Sequence, residues 1–319
     1  MLRPIVDGFK LLGNPVNSLV YPFPWFSTLH AARISLAFQS NTYRQGTYTA
    51  LGWKSYIGGF CVMSWGGMVF SHILLNLPPP VLYAHQVWFN YISIHLFLTA
   101  MFSLIPFFLV DADLLSTVDL VLFPLDAMLR VNAVVGTLAH LSPGSPSYEL
   151  VSPALISSPL FHFILGCTAS AGGGVTAATL GVWSPNWGSG GFTPTFLRKG
   201  PRSPLRNALS TLDVWGGGLA GQLSLCRTLN TTSNRIDCTF TAIVYGLSTS
   251  HTAFHPLLSV LSPYIYAFAL VDMHDVKPSS PLEGKSLAAA VLVALFGIRA
   301  LAAKLQVSAP APATNKDKK

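Results

Sequence analysis

Charge is what this sequence has least of. Only 10% of its 319 residues are Asp, Glu, Lys or Arg, against about a quarter in a soluble domain, so a water-facing surface could not be covered. Residues 55–110, 150–197 and 238–271 hold no Asp, Glu, Lys or Arg. Each window has room for one or two bilayer-crossing helices of about 20 apolar residues. Cysteine is scarce as well, with four residues in the whole chain. The continuous basic face of a nucleic-acid binder is missing, although the formal charge is +7. The basic residues gather instead at Arg198–Arg206 and at Lys316, Lys318 and Lys319, a distribution that reports membrane orientation and contact with anionic lipid. Also lacking are H-E-x-x-H, G-x-S-x-G and phosphate-loop motifs. No nucleophile–base constellation is legible, so an enzyme is not expected. His251 and His255 are spaced i,i+4, but no acidic partner is near and Pro256 follows, so no metal site is expected there.

What the chain does have is apolar length, with a mean hydropathy of +0.50. Runs such as Ile94–Phe102 do not alternate, which sets aside a β-barrel. A helix is the segment that satisfies its own backbone in hydrocarbon. The fold class is therefore an all-α polytopic membrane protein. Spans are expected at Pro24–Phe38 (weakened by His30 and Arg33), Tyr56–Leu77, Gln86–Val110, Leu114–Leu138 and Ser158–Leu180. A sixth begins near Leu205, and beyond it Thr239–Phe254, Leu257–Val271 and Leu287–Ala303 compete, the last with Arg299 inside it. Seven spans is the reading adopted, with eight or nine left open. The expected divisions are an N-terminal segment 1–22, a transmembrane domain 23–276, a linker with a marginal apolar helix at 277–305 and a disordered basic tail at 306–319. The loops after the second and fourth spans lack Lys and Arg, whereas Arg44, Lys54, Arg198, Lys199, Arg202 and Arg206 lie in the alternate ones. The positive-inside rule then puts the N-terminus on the lumenal or extracellular side. Asn230-Thr231-Thr232 is a glycosylation sequon bracketed by Cys226 and Cys238. These two are either a lumenal disulfide or two unpaired thiols. Cys61 and Cys167 lie mid-span and read as packing residues.

Two features stand out. Ser64-Trp-Gly66-Gly67-Met-Val69 in the second span and Ser170-Ala-Gly172-Gly173-Gly174-Val175 in the fifth share the pattern S-x-G-G-x-V. Three crossings separate them, so the second copy is upside down relative to the first, as in inverted-repeat transporters and channels. The glycines are either hinges lining an ion path or sites of close helix approach. Trp215-Gly216-Gly217-Gly218 breaks the spacing and reads as packing. The second feature is the fourth span, which carries Asp119, Asp126 and Arg130. At about 100° per residue these fall within roughly 40° of one another, with Thr137 on the same stripe. Ionisable residues inside a membrane mark functional paths by default. The competing reading is an i,i+4 ion pair between Asp126 and Arg130, which leaves Asp119 over.

On these residues the chain resembles the trimeric intracellular cation channels. The similarity is carried by Leu51-Gly-Trp-Lys54, Ser64-Trp-Gly-Gly67 and Leu74-Leu-Asn-Leu-Pro-Pro79, by Phe23-Pro-Trp-Phe26 with His30, by Ala169-Ser-Ala-Gly-Gly173 and by His251-Thr-Ala-Phe-His255. The resemblance implies seven helices in a three-plus-three inverted repeat with one more helix, a homotrimer, and a potassium-permeable pore in each subunit hinged at Gly66, Gly67, Gly172, Gly173 and Gly174. It implies residence in the endoplasmic reticulum or another endomembrane and counter-ion flux during calcium movement. It also implies phosphoinositide binding through a K-E-V-x-R motif that aligns with Asp126-Ala-Met-Leu-Arg130. There the arginine matches, and the lysine and glutamate do not. In that reading Asp119 and Asp126 attract cations, and Arg130 holds a lipid phosphate or clamps the Asp126 carboxylate. Partners would be potassium ions and membrane lipid, with no nucleic acid, and no cofactor beyond the lipid. A secondary transporter is the alternative, and a membrane scaffold without flux is the third reading.

Overall fold

A computed structural model describes residues 3–104, 112–188, 211–228 and 281–307. The described chain is mostly helical. An N-terminal helix α1 (Arg3–Gly13) leads into a short antiparallel hairpin, β1 (Pro15–Asn17) and β2 (Tyr21–Pro24). The turn is held by Asn17 Oδ1, which accepts from the Leu19 and Val20 amides at 2.9 Å each. The long helices follow as α2 (Trp25–Arg44), α3 (Trp53–Leu74), α4 (His85–Leu104), α5 (Ala112–Leu138), α6 (Pro159–Leu180), α7 (Leu212–Thr228) and α8 (Pro281–Val307). Four of them are long and apolar enough to cross a membrane by length and composition, over Trp53–Leu74, His85–Leu104, Val121–Leu141 and Leu160–Leu180. With a bundle surface that carries Phe70, Ile73, Phe89, Phe97 and Val121 outward, this is an integral membrane protein. Such an apolar exterior suits lipid rather than water.

Local sequence explains the helix ends. Ser158 caps α6, accepting the Phe161 amide at 3.3 Å, and Pro159 takes the first helical position, where no amide is missed. At the other end Gly181 turns left-handed with φ of 63° and stops the helix. Past the end of α3, Asn76 adopts φ of 57° just before the three prolines. Helix α2 runs six residues beyond the expected Phe38, to Arg44. Its polar residues find partners inside the protein: Gln39 Nε2 donates to Ser35 Oγ at 3.0 Å, and Thr42 Oγ1 donates to the Gln39 carbonyl at 2.7 Å. Helix α5 continues through Pro124. The last helix starts at Pro281 and ends at Val307, longer at both ends than the marginal Leu287–Ala303 run. Cys238, Asn230, His251 and His255 lie outside the described residues.

Three apolar clusters fix the directions of the helices. The start of α3 (Tyr56, Phe60) packs with the end of α6 (Ala177) and with Phe38 of α2. Leu75, just past the end of α3, meets Leu138 at the end of α5 and Phe161 at the start of α6. Helices α3 and α6 are therefore antiparallel, and α3 and α5 finish on the same side. Helix α4 runs parallel to α2, because Thr28 bonds to Asn90 at 3.2 Å and Ser35 to His95 at 2.8 Å. The third cluster joins Leu129 of α5, Leu212 and Ala220 of α7 and Leu292 and Phe296 of α8, with Phe9 of α1 against Phe26 of α2.

Candidate functional site

The two glycine clusters meet. A β-carbon on Gly67 would lie 2.7 Å from the Thr168 carbonyl oxygen, and one on Gly172 would lie 2.7 Å from the Gly67 Cα. One on Gly173 would overlap the Met63 carbonyl oxygen outright. These residues let the α3 and α6 backbones touch, as small residues do between membrane helices. Gly174 has no atom within 4 Å of such a β-carbon and faces open space. The opposite side of α6 is pressed just as closely against α7, with Gly217 against Gly166 and Ser170. The third glycine run is therefore a packing device, and α6 is clamped between two close crossings.

Beside the α3–α6 crossing lies a cavity of about 970 Å³. Helix α2 contributes His30 and Arg33, α3 contributes Ser64 and Trp65, and α5 contributes Asp126 and Arg130. Asp213 at the start of α7 and Gly174 of α6 line it as well. Thr137 also lines it, so Asp126, Arg130 and Thr137 of the predicted α5 stripe share one face. The side chain of Asp119 is outside the described residues.

The charges form a chain across four helices. Arg130 Nε donates to Asp126 Oδ2 at 2.9 Å, and its Nη1 donates to the Ser170 carbonyl at 3.0 Å. Its Nη2 lies 3.1 Å from Asp213 Oδ1, an ion pair without hydrogen-bond alignment. Asp213 Oδ2 accepts from Arg299 Nη1 of α8 at 2.6 Å, and Arg33 Nε approaches Asp126 Oδ1 at 3.7 Å. Phe296 stacks under both Arg130 and Arg299, 5.5 and 4.6 Å from ring centroid to guanidinium. The local Asp126–Arg130 pair expected from the spacing is present, but it is one link of a larger network. Three guanidiniums face two carboxylates, a balance of +1 among these five groups. Arg33, Asp213 and Arg299 were legible only as charges that interrupt otherwise apolar helices. That interruption was itself the signal, since a membrane helix keeps such a charge at a cost of several kcal/mol by order of magnitude.

Ser64 Oγ and Trp65 Nε1, buried atoms of two residues that line the cavity, have no hydrogen-bond partner among the described residues. Trp65 packs edge-on against Trp88 and Tyr91, and Tyr91 shares its hydroxyl with His30 Nδ1 at 2.9 Å. Among the described residues no group of three or more His, Cys, Asp or Glu could hold a metal ion. Comparison of the chain with protein-family models, curated proteins and solved structures returns no match.

Proposed function

We propose that the protein conducts a monovalent cation, potassium, through an intracellular membrane and so offsets charge as calcium moves. The observation that carries this reading is the cavity itself: Arg33, Asp126, Arg130 and Asp213, charged groups from three helices, line it beside the contact of two matching glycine clusters. A buried charge network of this kind in a membrane interior serves an ion path by default. The architecture proposed is seven spans, with α2, α3 and α4 as one half, α5, α6 and α7 as its inverted counterpart and α8 as the last helix, in a homotrimer of the endoplasmic reticulum type. Antiparallel α3 and α6 touching at the shared motif is the contact such a repeat requires. Gly174, open to the cavity, is then the position best suited to bending, while Gly172 and Gly173 hold the crossing.

The charge balance gives the path a resting state. Both carboxylates are held by guanidiniums, and the excess positive charge opposes a cation. Conduction requires a guanidinium to leave Asp126 or an anionic lipid headgroup to take up Arg130. The alternative, a secondary transporter, draws support from the same ion pairs, because they tie α2, α5, α7 and α8 together and would have to exchange in a rocking cycle. Planar-bilayer recording of the purified protein under a potassium gradient separates the two. Unitary cation currents are expected. Flux that saturates and appears only with a second, coupled solute would replace the channel by the transporter.

A further inference from the structure

His72 sits in the last turn of α3, and His140 in the 3₁₀ turn directly after α5. Sixty-eight positions apart in sequence, they meet where the two helices finish together, and both line the cavity. Their ring centroids are 5.4 Å apart, with planes at 73°. His72 Nδ1 lies 2.8 Å from the Met68 carbonyl, which can only accept, so Nδ1 carries the proton and Nε2 presents a lone pair. His140 Nδ1 lies 2.7 Å from Ser147 Oγ, itself 2.9 Å from Ser145 Oγ. Donation to that hydroxyl leaves the His140 Nε2 lone pair open too. Among the described residues neither Nε2 has a hydrogen-bond partner.

We propose that His72 and His140 bind a divalent transition-metal ion, Zn²⁺ or Cu²⁺ by chemical class, at this end of the cavity. Metal-bound imidazoles are typically fixed in this way, with the far nitrogen donating to a carbonyl or another oxygen. A metal about 2.0–2.1 Å from each Nε2 stands about 3.2 Å from each ring centroid, and a tetrahedral angle then sets the centroids about 5.2 Å apart. The observed centroid separation of 5.4 Å is close to that value. Two neutral nitrogens select Zn²⁺ or Cu²⁺ over Ca²⁺ and Mg²⁺, which take oxygen. With no third His, Cys, Asp or Glu in the group among the described residues, water fills the remaining positions and the ion is exchangeable rather than structural. The loops on this side lack Lys and Arg, so the site faces the lumen or the exterior.

The test uses the full-length protein in detergent. Cu²⁺ added to it is expected to show the electron-paramagnetic signature of two imidazole nitrogens, and Zn²⁺ to compete it away. Zn²⁺ is expected to raise the unfolding temperature saturably. His72→Gln and His140→Gln should each weaken Zn²⁺ binding at least tenfold, while His85→Gln changes nothing. Should His72→Gln fold poorly, the His140→Gln result decides, because that side chain is less buried than His72. A folded wild type that binds neither ion, or binding unchanged in the double variant, overturns the site. The effect on current rests on the proposed ion path: Zn²⁺ should reduce it, and binding without any change in current would count against the path while leaving the site in place.

Discussion

Adjacent glycines in α6 should respond in opposite directions to the same substitution. At Gly173 an alanine β-carbon falls on the Met63 carbonyl oxygen, a backbone atom that cannot swing aside. Overpacking costs about 1–3 kcal/mol, and the upper end applies where the obstacle is backbone. The gain in helix propensity returns about 1 kcal/mol. Gly173→Ala should therefore destabilise by roughly 2 kcal/mol. At Gly174 nothing lies within 4 Å of the new methyl, so Gly174→Ala should stabilise by up to about 1 kcal/mol. At roughly 2–4 °C per kcal/mol for a chain of this order, the unfolding midpoint falls by about 4–8 °C in the first variant and rises by about 2–4 °C in the second. Tryptophan-fluorescence melting in detergent reads both, with Trp65 lying close to the crossing. A Gly173→Ala protein as stable as the wild type, or two variants that shift the same way, would refute the close contact of α3 and α6 at this point.

Other consequences follow from the network and its surroundings. Asp126→Asn leaves Arg33 and Arg130 without their shared carboxylate, and breaking one side of a buried pair costs about 3–5 kcal/mol. A large drop in melting temperature or in conductance is expected, and an Asp126→Asn protein that melts and conducts as wild type would remove this residue from the account. Arg299→Met keeps the contact with Phe296 but withdraws one of the two cations on Asp213. It should loosen α8, seen as faster hydrogen exchange in that helix, and unchanged exchange would show that the ion pair does not hold it. Ser35→Ala strips the hydrogen bond from His95 Nδ1, which is fully buried and stacked on Phe60 at 3.9 Å. Orphaning that nitrogen should cost about 1–3 kcal/mol, measurable as a lower melting midpoint.

Much of the fold could be read from the chain because hydrocarbon leaves few choices. The charge-free windows mark α3, α4 and α6, α5 is legible as an apolar run in spite of its charges, and α5 and α6 end on the expected residues, Leu138 and Leu180. Helix α2 was read too short because Gln39, Asn41 and Thr42 look like the end of an apolar run. The partners of Gln39 and Thr42, the Ser35 hydroxyl and the backbone, become visible only when the helix is folded. The glycine motif was legible as a pair, but whether it bends or packs depends on what lies opposite, and Gly173 and Gly174 differ in that respect although they are neighbours. The charged stripe on α5 was legible from its period. The partners of Asp126 and Arg130 beyond each other were not, because Arg33, Asp213 and Arg299 come from three other helices and pair only through tertiary contact. The same holds for His72 and His140, which no spacing rule connects.

The central claim is that ions pass through the cavity between α2, α3, α5 and α6. Gly136 of α5 lines that cavity, and a β-carbon there meets nothing within 4 Å. Gly136→Cys therefore places a thiol in the open space without disturbing the packing. Single-channel potassium current would be recorded from this variant before and after a cationic and then an anionic thiol reagent, with the wild type as control. The cationic reagent is expected to lower the unitary current and the anionic reagent to raise it, with the wild type unaffected. Complete labelling of Gly136→Cys with no change in current from either reagent would contradict the ion path.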